Sequence, residues 1–334
     1  MSPLHFPESA YQTSLPAGLR RSNGPLTRGG PTMLTGGFAV IFLILAGLQS
    51  TDASPATGNM RIEQPALDST IRLETSARFG GSVASIVFRG KQFVDAHDHG
   101  RELQSASSFD GFGECFNPTE AGSLVDDVKA TTSSKLLAAK SGPNSIETKI
   151  DMAFWLPPNY DYVHQCGQSP GTTHAVNKTV TGGHILDERI ELGEGGIANV
   201  IGDHVTYTVP EAHASGTFEA ATIYTPSDFS SRYVLNFGTG NVEPTSVIGE
   251  QEYPAILATA DGKYAVGVFS AWQPQLPGHG YGTFTFPNTN KLNCVYREKS
   301  IAAGQKFSYL CEFVVGTLDE VKATILVLHS RAAH

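Results

Sequence analysis

Short runs in which apolar and polar residues alternate recur along most of the chain after residue 70. Gly, Pro, Asn or Asp bounds each run, and many positions within the runs are β-branched or aromatic. A period of two places successive side chains on opposite faces of an extended strand, whereas the bounding residues favour turns. The pattern predicts strands at residues 71–75, 83–88, 145–155, 185–192, 198–209, 217–224, 255–260, 264–270, 292–297 and 306–315.

The C-terminal segment has a helical pattern instead. Val321, Ile325 and Leu328 are spaced four and three residues apart, which aligns them on one face of a helix. Thr317 precedes an acidic first turn and is suited to cap that helix. We therefore expect one C-terminal helix, packed on the outside of a β-sandwich.

The composition also favours an all-β fold. The 334 residues include 35 Gly and 19 Pro, and only 16% are charged, which is typical of a turn-rich β protein. A hydrophobic content of 40% is sufficient for a packed core. Because no repeat, linker or change of composition divides residues 54–334, we expect them to form one domain, a large antiparallel β-sandwich.

Residues 1–53 are interpreted as a targeting region. Eleven consecutive apolar residues, 38–48, follow Arg20, Arg21 and Arg28. A helix that spans a bilayer needs about 20 residues, so this run fits the hydrophobic part of a secretory signal cleaved near Ser54. An uncleaved signal anchor is the alternative. In either case we expect a secreted or periplasmic protein that contacts a membrane only through its N-terminal segment.

Four cysteines are compatible with an oxidising compartment. Cys294 and Cys311 are equidistant from the centre of a predicted turn at residues 302–305. In an antiparallel hairpin they would therefore lie opposite each other, close to disulfide distance. Two buried thiols are the alternative. Cys115 and Cys166 would then form the remaining pair.

Charge and motifs exclude several functional classes. The formal net charge is −9 and no basic tract follows Arg28, so we expect no nucleic-acid partner, because that role requires a positive surface. The sequence contains no GxSxG, HExxH or Walker A motif, and no GxGxxG after a predicted strand. We therefore predict neither the commonest hydrolase or zinc-protease chemistries nor a bound cofactor.

Ionisable side chains are concentrated in two glycine-flanked segments after the first predicted hairpin. His99 titrates near neutral pH, and the planar guanidinium of Arg101 is suited to hold a carboxylate or sugar hydroxyls. Glu114 or Glu120 would serve as acid, base or nucleophile. We predict that His99, Arg101 and Glu114 converge on one catalytic pocket. The alternative is a salt-bridged turn with solvated charges.

Further polar and aromatic residues are candidates for substrate binding. Trp272 and Tyr281, in an aromatic segment rich in Pro and Gly, are suited to stack on a sugar ring. Residues 157–183 form a long polar loop of the kind that often carries function. The substrate-binding candidates are His97, Asn117, Glu219, Tyr224, Trp272 and Tyr281.

A metal-dependent site is an alternative use of the same segment. His97 and His99, followed by Glu102, partly resemble a cupin metal motif. The spacings to Gly90 and Glu102 each differ by one residue, however, and the later motif with a third histidine is absent. We therefore predict no metal ligands and keep a His-x-His metalloenzyme as an alternative.

The segment GGSVASIVFRGKQFVDAHDHGRELQSA resembles the opening of the galactose-mutarotase-like β-supersandwich proteins. The motifs DHGRELQ, GECFNPTEAGS and FVVGTLDEVKATI resemble a group of uncharacterised bacterial secreted proteins over most of residues 60–330. The resemblance implies a supersandwich fold and carbohydrate ligands, in a superfamily that includes epimerases, lyases and glycosidase-associated domains. The histidine and glutamate of true mutarotases have no match by motif, so the resemblance implies no particular reaction.

Three functional hypotheses follow. The first is an exported glycoside hydrolase or polysaccharide lyase. Hydrolysis would use two carboxylates among Glu114, Glu120 and Glu219. Elimination would use His99 or a tyrosine as base, with Arg101 neutralising a uronate. The second hypothesis is a non-catalytic carbohydrate-binding protein, and the third is the His-x-His metalloenzyme.

Overall fold

The computed structural model describes residues 57–97, 99–122, 129, 131–162, 164–271 and 279–333. The targeting region, its cleavage site and Trp272 lie outside these residues. Within them the strands are β1 Arg61–Ala66, β2 Ser69–Thr75, β3 Val83–Phe88, β4 Lys91–Gln92, β5 Leu103–Phe109, β6 Pro118–Thr119, β7 Lys135–Ser141, β8 Ser145–Phe154, β9 Thr181–Leu192, β10 Val200–Thr208, β11 His213–Pro226, β12 Ser231–Asn236, β13 Asn241–Pro244, β14 Gly249–Gln251, β15 Ala255–Ala258, β16 Ala265–Phe269, β17 His279–Thr285, β18 Thr289–Ile301 and β19 Lys306–Gly316.

Each of the ten predicted strands overlaps an observed strand, and β3 matches its predicted range. Several other strands escaped prediction because their sequences carry a weak apolar signal. Strand β5 reads LQSASSF and contains three serines, although most of its residues are buried. Strand β7 has no fully buried residue, so its sequence shows no clear alternation of apolar and polar positions.

The strands form two antiparallel layers. Sheet I has the order β7-β8-β9-β10-β19-β16-β15-β12-β13. Sheet II has the order β1-β2-β3-β5-β11-β18-β17-β14, with β4 paired to β3. The short strand β6 pairs with β5 of sheet II and with β8 of sheet I, so it joins the two layers at one edge.

The core lies between the two sheets and is rich in aromatic side chains. Phe218 from sheet II and Phe313 from sheet I are both fully buried. The Tyr207 hydroxyl crosses the core and donates to the backbone oxygens of Ala106 and Glu219, at 3.2 and 3.1 Å. Burying one phenylalanine side chain stabilises the fold by about 1.5–3 kcal/mol. The predicted class, an antiparallel β-sandwich, is confirmed.

Both disulfides are present, but the predicted hairpin register is wrong. The Cα atoms of Cys294 on β18 and Cys311 on β19 are 6.4 Å apart. Strand β18 pairs with β11 and β17, whereas β19 pairs with β10 and β16. The turn at 302–305 therefore carries the chain from sheet II to sheet I, and the two cysteines meet across the core. Equal distance from a turn brings two residues together in either arrangement, so the spacing identified the pair and not the topology.

The predicted C-terminal helix, α1, spans Leu318–Ala332. The Thr317 side chain accepts from the Glu320 N–H, and the Glu320 carboxylate accepts from the Thr317 N–H, which completes a capping box. Val321, Ile325 and Leu328 are buried against the outer face of sheet I, in a second apolar cluster. The helix therefore lies outside the sandwich, as predicted.

Within the described part of the chain, no helix combines the length and the apolar character needed to cross a bilayer.

Candidate functional site

Three strands of sheet II place aromatic and charged side chains side by side. Tyr224 on β11 is paired with Lys291 on β18, and Lys291 is paired with Phe284 on β17. Directly paired residues on adjacent strands point to the same face. The core residues of β11, such as Ile223, alternate with this row, so the row lies on the face of sheet II that points away from the sandwich core.

A β-bulge brings Glu219 onto this outer face. Glu219 and Tyr224 are five positions apart in sequence, and in a regular strand this odd offset would point them to opposite faces. The register shifts between Glu219 and Thr222, and both intervening residues, Ala220 and Ala221, are fully buried in the core. The extra core-facing residue reverses the alternation, so Glu219, Thr222 and Tyr224 share the outer face.

Glu219 forms the central ion pair of the site. The Lys291 ammonium donates to Glu219 Oε2 at 2.6 Å, and Thr222 Oγ1 donates to the same oxygen at 3.0 Å. The side chains of Glu219 and Lys291 are 32% and 13% exposed, which leaves the pair within reach of a ligand. Burial alone would raise the pKa of Glu219, but Lys291, Asn293 and Thr222 outweigh it and hold this pKa below its ordinary value.

The pKa of Glu114 is shifted in the opposite direction, above its ordinary value. Glu114 lies in a short 3-10 helix, Gly113–Phe116, and its Oε2 accepts from Asn117 Nδ2 at 2.9 Å. Burial raises the pKa of Glu114, and the negative charge of Glu219 raises it further. The two carboxyl groups therefore influence each other, with Glu219 favouring the ionised form and Glu114 the protonated form.

Arg101 completes the site from the segment before β5. It is 6% exposed, and its guanidinium carbon lies 5.4 Å from the ring centroids of both Tyr224 and Phe286. Burial raises the pKa of Tyr224, while the positive charges of Lys291 and Arg101 lower it. The two cations thus border a partly exposed aromatic surface formed by Tyr224, Phe284 and Phe286.

The Cys115–Cys166 disulfide holds the long loop between β8 and β9 beside Glu114. The two Cα atoms are 5.4 Å apart, and Gln168 N donates to Gly111 O at 2.7 Å. A Cβ atom on Gly167 would lie 2.4 Å from Gly111 O, so only glycine permits this close approach. Tyr162, from the same loop, has its pKa raised by burial and by the charge of Glu114.

Five of the candidates from the sequence come together at this site. They are Arg101, Glu114, Asn117, Glu219 and Tyr224. Five other residues of the site were not among the candidates predicted from the sequence: Lys291, Thr222, Phe284, Phe286 and Tyr162. Lys291 lies one residue before the predicted strand 292–297, and no local pattern in the sequence connects it with Glu219.

His99 and Glu120 lie apart from this group. His99 is fully buried, its Nε2 is 3.3 Å from Ala121 O, and its ring packs against Phe79. Burial lowers its pKa. Glu120 is also fully buried and accepts from the Ser105 N–H at 2.8 Å, on the core side of the fold.

Two of the substrate-binding candidates also have other surroundings. His97 is exposed and lines a cleft of about 350 Å³ together with Asp95 and Pro226. Tyr281 is fully buried in the core, because its register position opposite Cys294 points its ring inward, and its hydroxyl accepts from Ser270 N–H at 3.0 Å.

The His-x-His segment does not assemble a cluster of ligands in the described residues. His97 is exposed whereas His99 is buried, and Glu102 accepts from Gly100 N and Gln104 Nε2. Where three metal-ligating atoms do lie close together in the described ranges, the groups contain neither of these histidines.

No protein-family model and no curated protein sequence matches the chain. Solved structures are similar to it at low identity. A galactose mutarotase-like protein from Lactobacillus casei is 10% identical, with a TM-score of 0.41 over 77% of this chain and 99% of that protein. An alpha-mannosidase from Enterococcus faecalis is 12% identical, with a TM-score of 0.49 over 84% of this chain and 32% of that protein.

A heparan sulfate lyase from Pedobacter heparinus is 8% identical, with a TM-score of 0.32 over 78% of this chain and 36% of that protein. All three TM-scores lie below 0.5. None of these similarities assigns a function to this chain.

Proposed function

We propose that the protein is an exported carbohydrate-active enzyme that cleaves a glycosidic bond of an oligosaccharide or polysaccharide. In this proposal Glu114 protonates the leaving oxygen, and Glu219 acts as base or nucleophile on the sugar. Glycoside hydrolysis needs two carboxyl groups in these complementary states on either side of the scissile bond.

The observation that carries the proposal is that the pKa values of the two carboxyl groups are shifted in opposite directions within one site. The pKa of Glu114 is raised by burial, whereas the Lys291 ion pair holds the pKa of Glu219 below its ordinary value. Environments that separate the pKa values of neighbouring acids are characteristic of acid–base catalysts. A site that only bound a sugar would not require this separation.

The surrounding side chains support a carbohydrate ligand. Tyr224, Phe284 and Phe286 offer ring faces suited to the C–H faces of a sugar, and the guanidinium of Arg101 places a positive charge beside two of these rings.

Polysaccharide elimination is the alternative reaction, and one observation favours it. Two cations, Arg101 and Lys291, flank Tyr224 and would neutralise a uronate. The raised pKa of Tyr224 makes this residue a poor base at neutral pH, however.

The test is a panel of neutral and acidic polysaccharides assayed for new reducing ends and for the ultraviolet absorbance of unsaturated uronates. Glu114→Gln and Glu219→Gln should each lower the turnover number by about 10²–10⁴-fold, the usual contribution of a general acid or base, with melting temperatures near wild type. Glu250→Gln is the matched control, because Glu250 pairs with Arg297 at 2.7 Å without acting on Tyr224 or Glu114.

Each result has a distinct meaning. Reducing ends without ultraviolet absorbance indicate a hydrolase, and both signals together indicate a lyase. Saccharide binding without turnover, lost on Arg101→Lys, would identify a carbohydrate-binding protein instead. Full activity in both glutamine variants would refute the assignment of Glu114 and Glu219.

The proposed location outside the cytoplasm is supported by the two disulfides, since such bonds persist in oxidising compartments. N-terminal sequencing of exported protein should find a start near Ser54. Exported protein that retained residues 38–48 would contradict cleavage of the signal.

A further inference from the structure

Two histidines and a glutamate meet at a place well away from Glu219. His184 lies near the start of β9, Glu211 lies in the turn between β10 and β11, and His213 begins β11. The Nε2 atoms of His184 and His213 lie 3.4 and 3.5 Å from Glu211 Oε1. His213 and Glu219 are six positions apart in sequence, about 20 Å along β11, so none of these three residues belongs to the Glu219–Lys291 pair.

The two imidazoles are buried, and their Nε2 atoms face one carboxylate oxygen at 3.4 and 3.5 Å without forming a well-aligned hydrogen bond to it. The His184 side chain is 1% exposed, and neither of its ring nitrogens makes a hydrogen bond with the described residues. The His213 side chain is 6% exposed, and its Nε2 is likewise unpaired within that part of the chain. Buried polar groups are nearly always satisfied, so two imidazoles directed at one carboxylate oxygen indicate a missing partner.

A second carboxylate orients the His213 ring. Asp110 Oδ2 lies 2.8 Å from His213 Nδ1, and Asp110 Oδ1 accepts from the N–H groups of Ala214 and Ser215 at 2.7 and 3.2 Å. With the Nδ1 proton donated to Asp110, the Nε2 lone pair faces Glu211. This carboxylate–histidine arrangement is characteristic of metal-binding imidazoles.

Aromatic side chains hold both rings in place. Phe109 stacks on His213 with a centroid separation of 4.3 Å, and its centroid lies 5.1 Å from that of His184. Phe116 and Phe154 pack edge-on against His184, at 6.0 and 5.5 Å. The rings are therefore fixed in an apolar environment, which strengthens an interaction with a cation once the ion is bound.

We propose that His184 Nε2, His213 Nε2 and Glu211 bind one divalent cation of the zinc class. Their donor atoms all lie within 4.8 Å of one another. A tetrahedral ion with ligands at about 2.0–2.1 Å sets its donor atoms about 3.3 Å apart, close to the two measured contacts with Glu211. Two imidazoles and one carboxylate suit zinc better than calcium or magnesium, which prefer oxygen ligands.

The ion would connect the two layers of the sandwich, because His184 belongs to sheet I and His213 to sheet II. Glu211 is 44% exposed and forms the solvent side of the group, which leaves a fourth position for water. A ligand that binds only the folded state raises the melting temperature, and the rise is larger when the ligand binds more tightly. Zinc should therefore stabilise the protein whatever its effect on catalysis.

The experiment uses the full chain without a histidine tag, stripped with a chelator and dialysed. Titration with Zn²⁺ against a chromophoric chelator should show one equivalent bound, with a rise in melting temperature. Co²⁺ should bind at the same stoichiometry and give the intense visible absorption of a four-coordinate ion. Asp110→Asn should weaken zinc binding by about 10–100-fold and leave the stoichiometry at one, as expected for an orienting residue.

Glu211→Gln, His184→Gln and His213→Gln should each weaken zinc binding at least tenfold. Because Glu211 is exposed, Glu211→Gln should disturb folding least. Circular dichroism checks that all three variants are folded. His204→Gln is the matched control, because His204 belongs to a separate histidine–carboxylate group with Glu191 and Glu194. Zinc binding that is absent, that survives the three ligand variants, or that is lost in His204→Gln would overturn the proposal.

Discussion

Glu219 on the outer face of sheet II and Glu114 in the 3-10 helix Gly113–Phe116 have pKa values that their neighbours shift in opposite directions. Glu219 is 2.6 Å from an ammonium and accepts a second hydrogen bond from Thr222, whereas Glu114 has one amide donor and is enclosed by a disulfide-bound loop. The chemistry of each residue therefore depends on its partners, and the sequence supplies the same side chain in both places.

This contrast predicts the pH dependence of activity. Glu219 must be ionised, so kcat/KM should fall only at pH values below the ordinary carboxyl pKa. Glu114 must be protonated, so the alkaline limb should lie above that pKa. The kcat/KM profile should be bell-shaped, and Lys291→Met should move its acid limb to higher pH by removing the charge that lowers the pKa of Glu219. An acid limb that stayed in place in Lys291→Met would contradict the assigned base.

At the scale of elements, the two disulfides connect different kinds of structure. Cys294–Cys311 joins β18 to β19 across the core, with a sequence separation of 17. Cys115–Cys166 joins the helix that carries Glu114 to the long loop, with a separation of 51. The first connects sheets that are already packed together, whereas the second positions a loop that has only a small apolar cluster of its own.

Removing each bridge should therefore have separable effects. Loop-closure entropy predicts a loss of about 3 kcal/mol for Cys294→Ala/Cys311→Ala and about 4 kcal/mol for Cys115→Ser/Cys166→Ser, measured by urea unfolding. At a temperature where both variants are folded, only the second should lose kcat/KM, because Glu114 is then less firmly placed. Equal kcat/KM in the two variants would show that the loop bridge has no part in positioning Glu114.

At the scale of the whole molecule, three buried acids make stability depend on pH. Burial raises the pKa of Glu120 to about 7, and it raises the pKa values of Glu188 and Asp203 well above the ordinary range. The last two also lie close enough to Glu120 for its charge to raise their pKa values further. The folded state thus holds protons that the unfolded chain releases near pH 4.5.

Stability should therefore fall as the pH rises from about 4.5 through 7, since the unfolded state binds fewer protons there. For Glu120 alone, a shift from 4.5 to about 7 corresponds to a few kcal/mol. The melting temperature should be higher at pH 5 than at pH 8, and Glu120→Gln should reduce that difference. Glu147→Gln, on the surface beside Lys140, is the control. A melting temperature that rose from pH 5 to pH 8 would contradict this account.

Much of the architecture could be predicted from the sequence. The period-two pattern predicted ten strands, and Thr317 with the stripe Val321, Ile325 and Leu328 predicted the helix, because these signals are local and depend on which side chains prefer the core. The Cys294–Cys311 pair was also identified, although its hairpin register was wrong.

Contacts between segments that are distant in sequence could not be predicted from local patterns. A bulge at Ala220 and Ala221 turned Glu219 to the outer face, where Lys291 arrived from a strand 72 residues away. Strand-to-strand register likewise brought His184 from sheet I to His213 of sheet II. Sequence determined which residues could be buried or could carry charge. Which of them meet, and hence their protonation states, depends on long-range pairing, because contacts between distant segments are set by the packing of whole sheets.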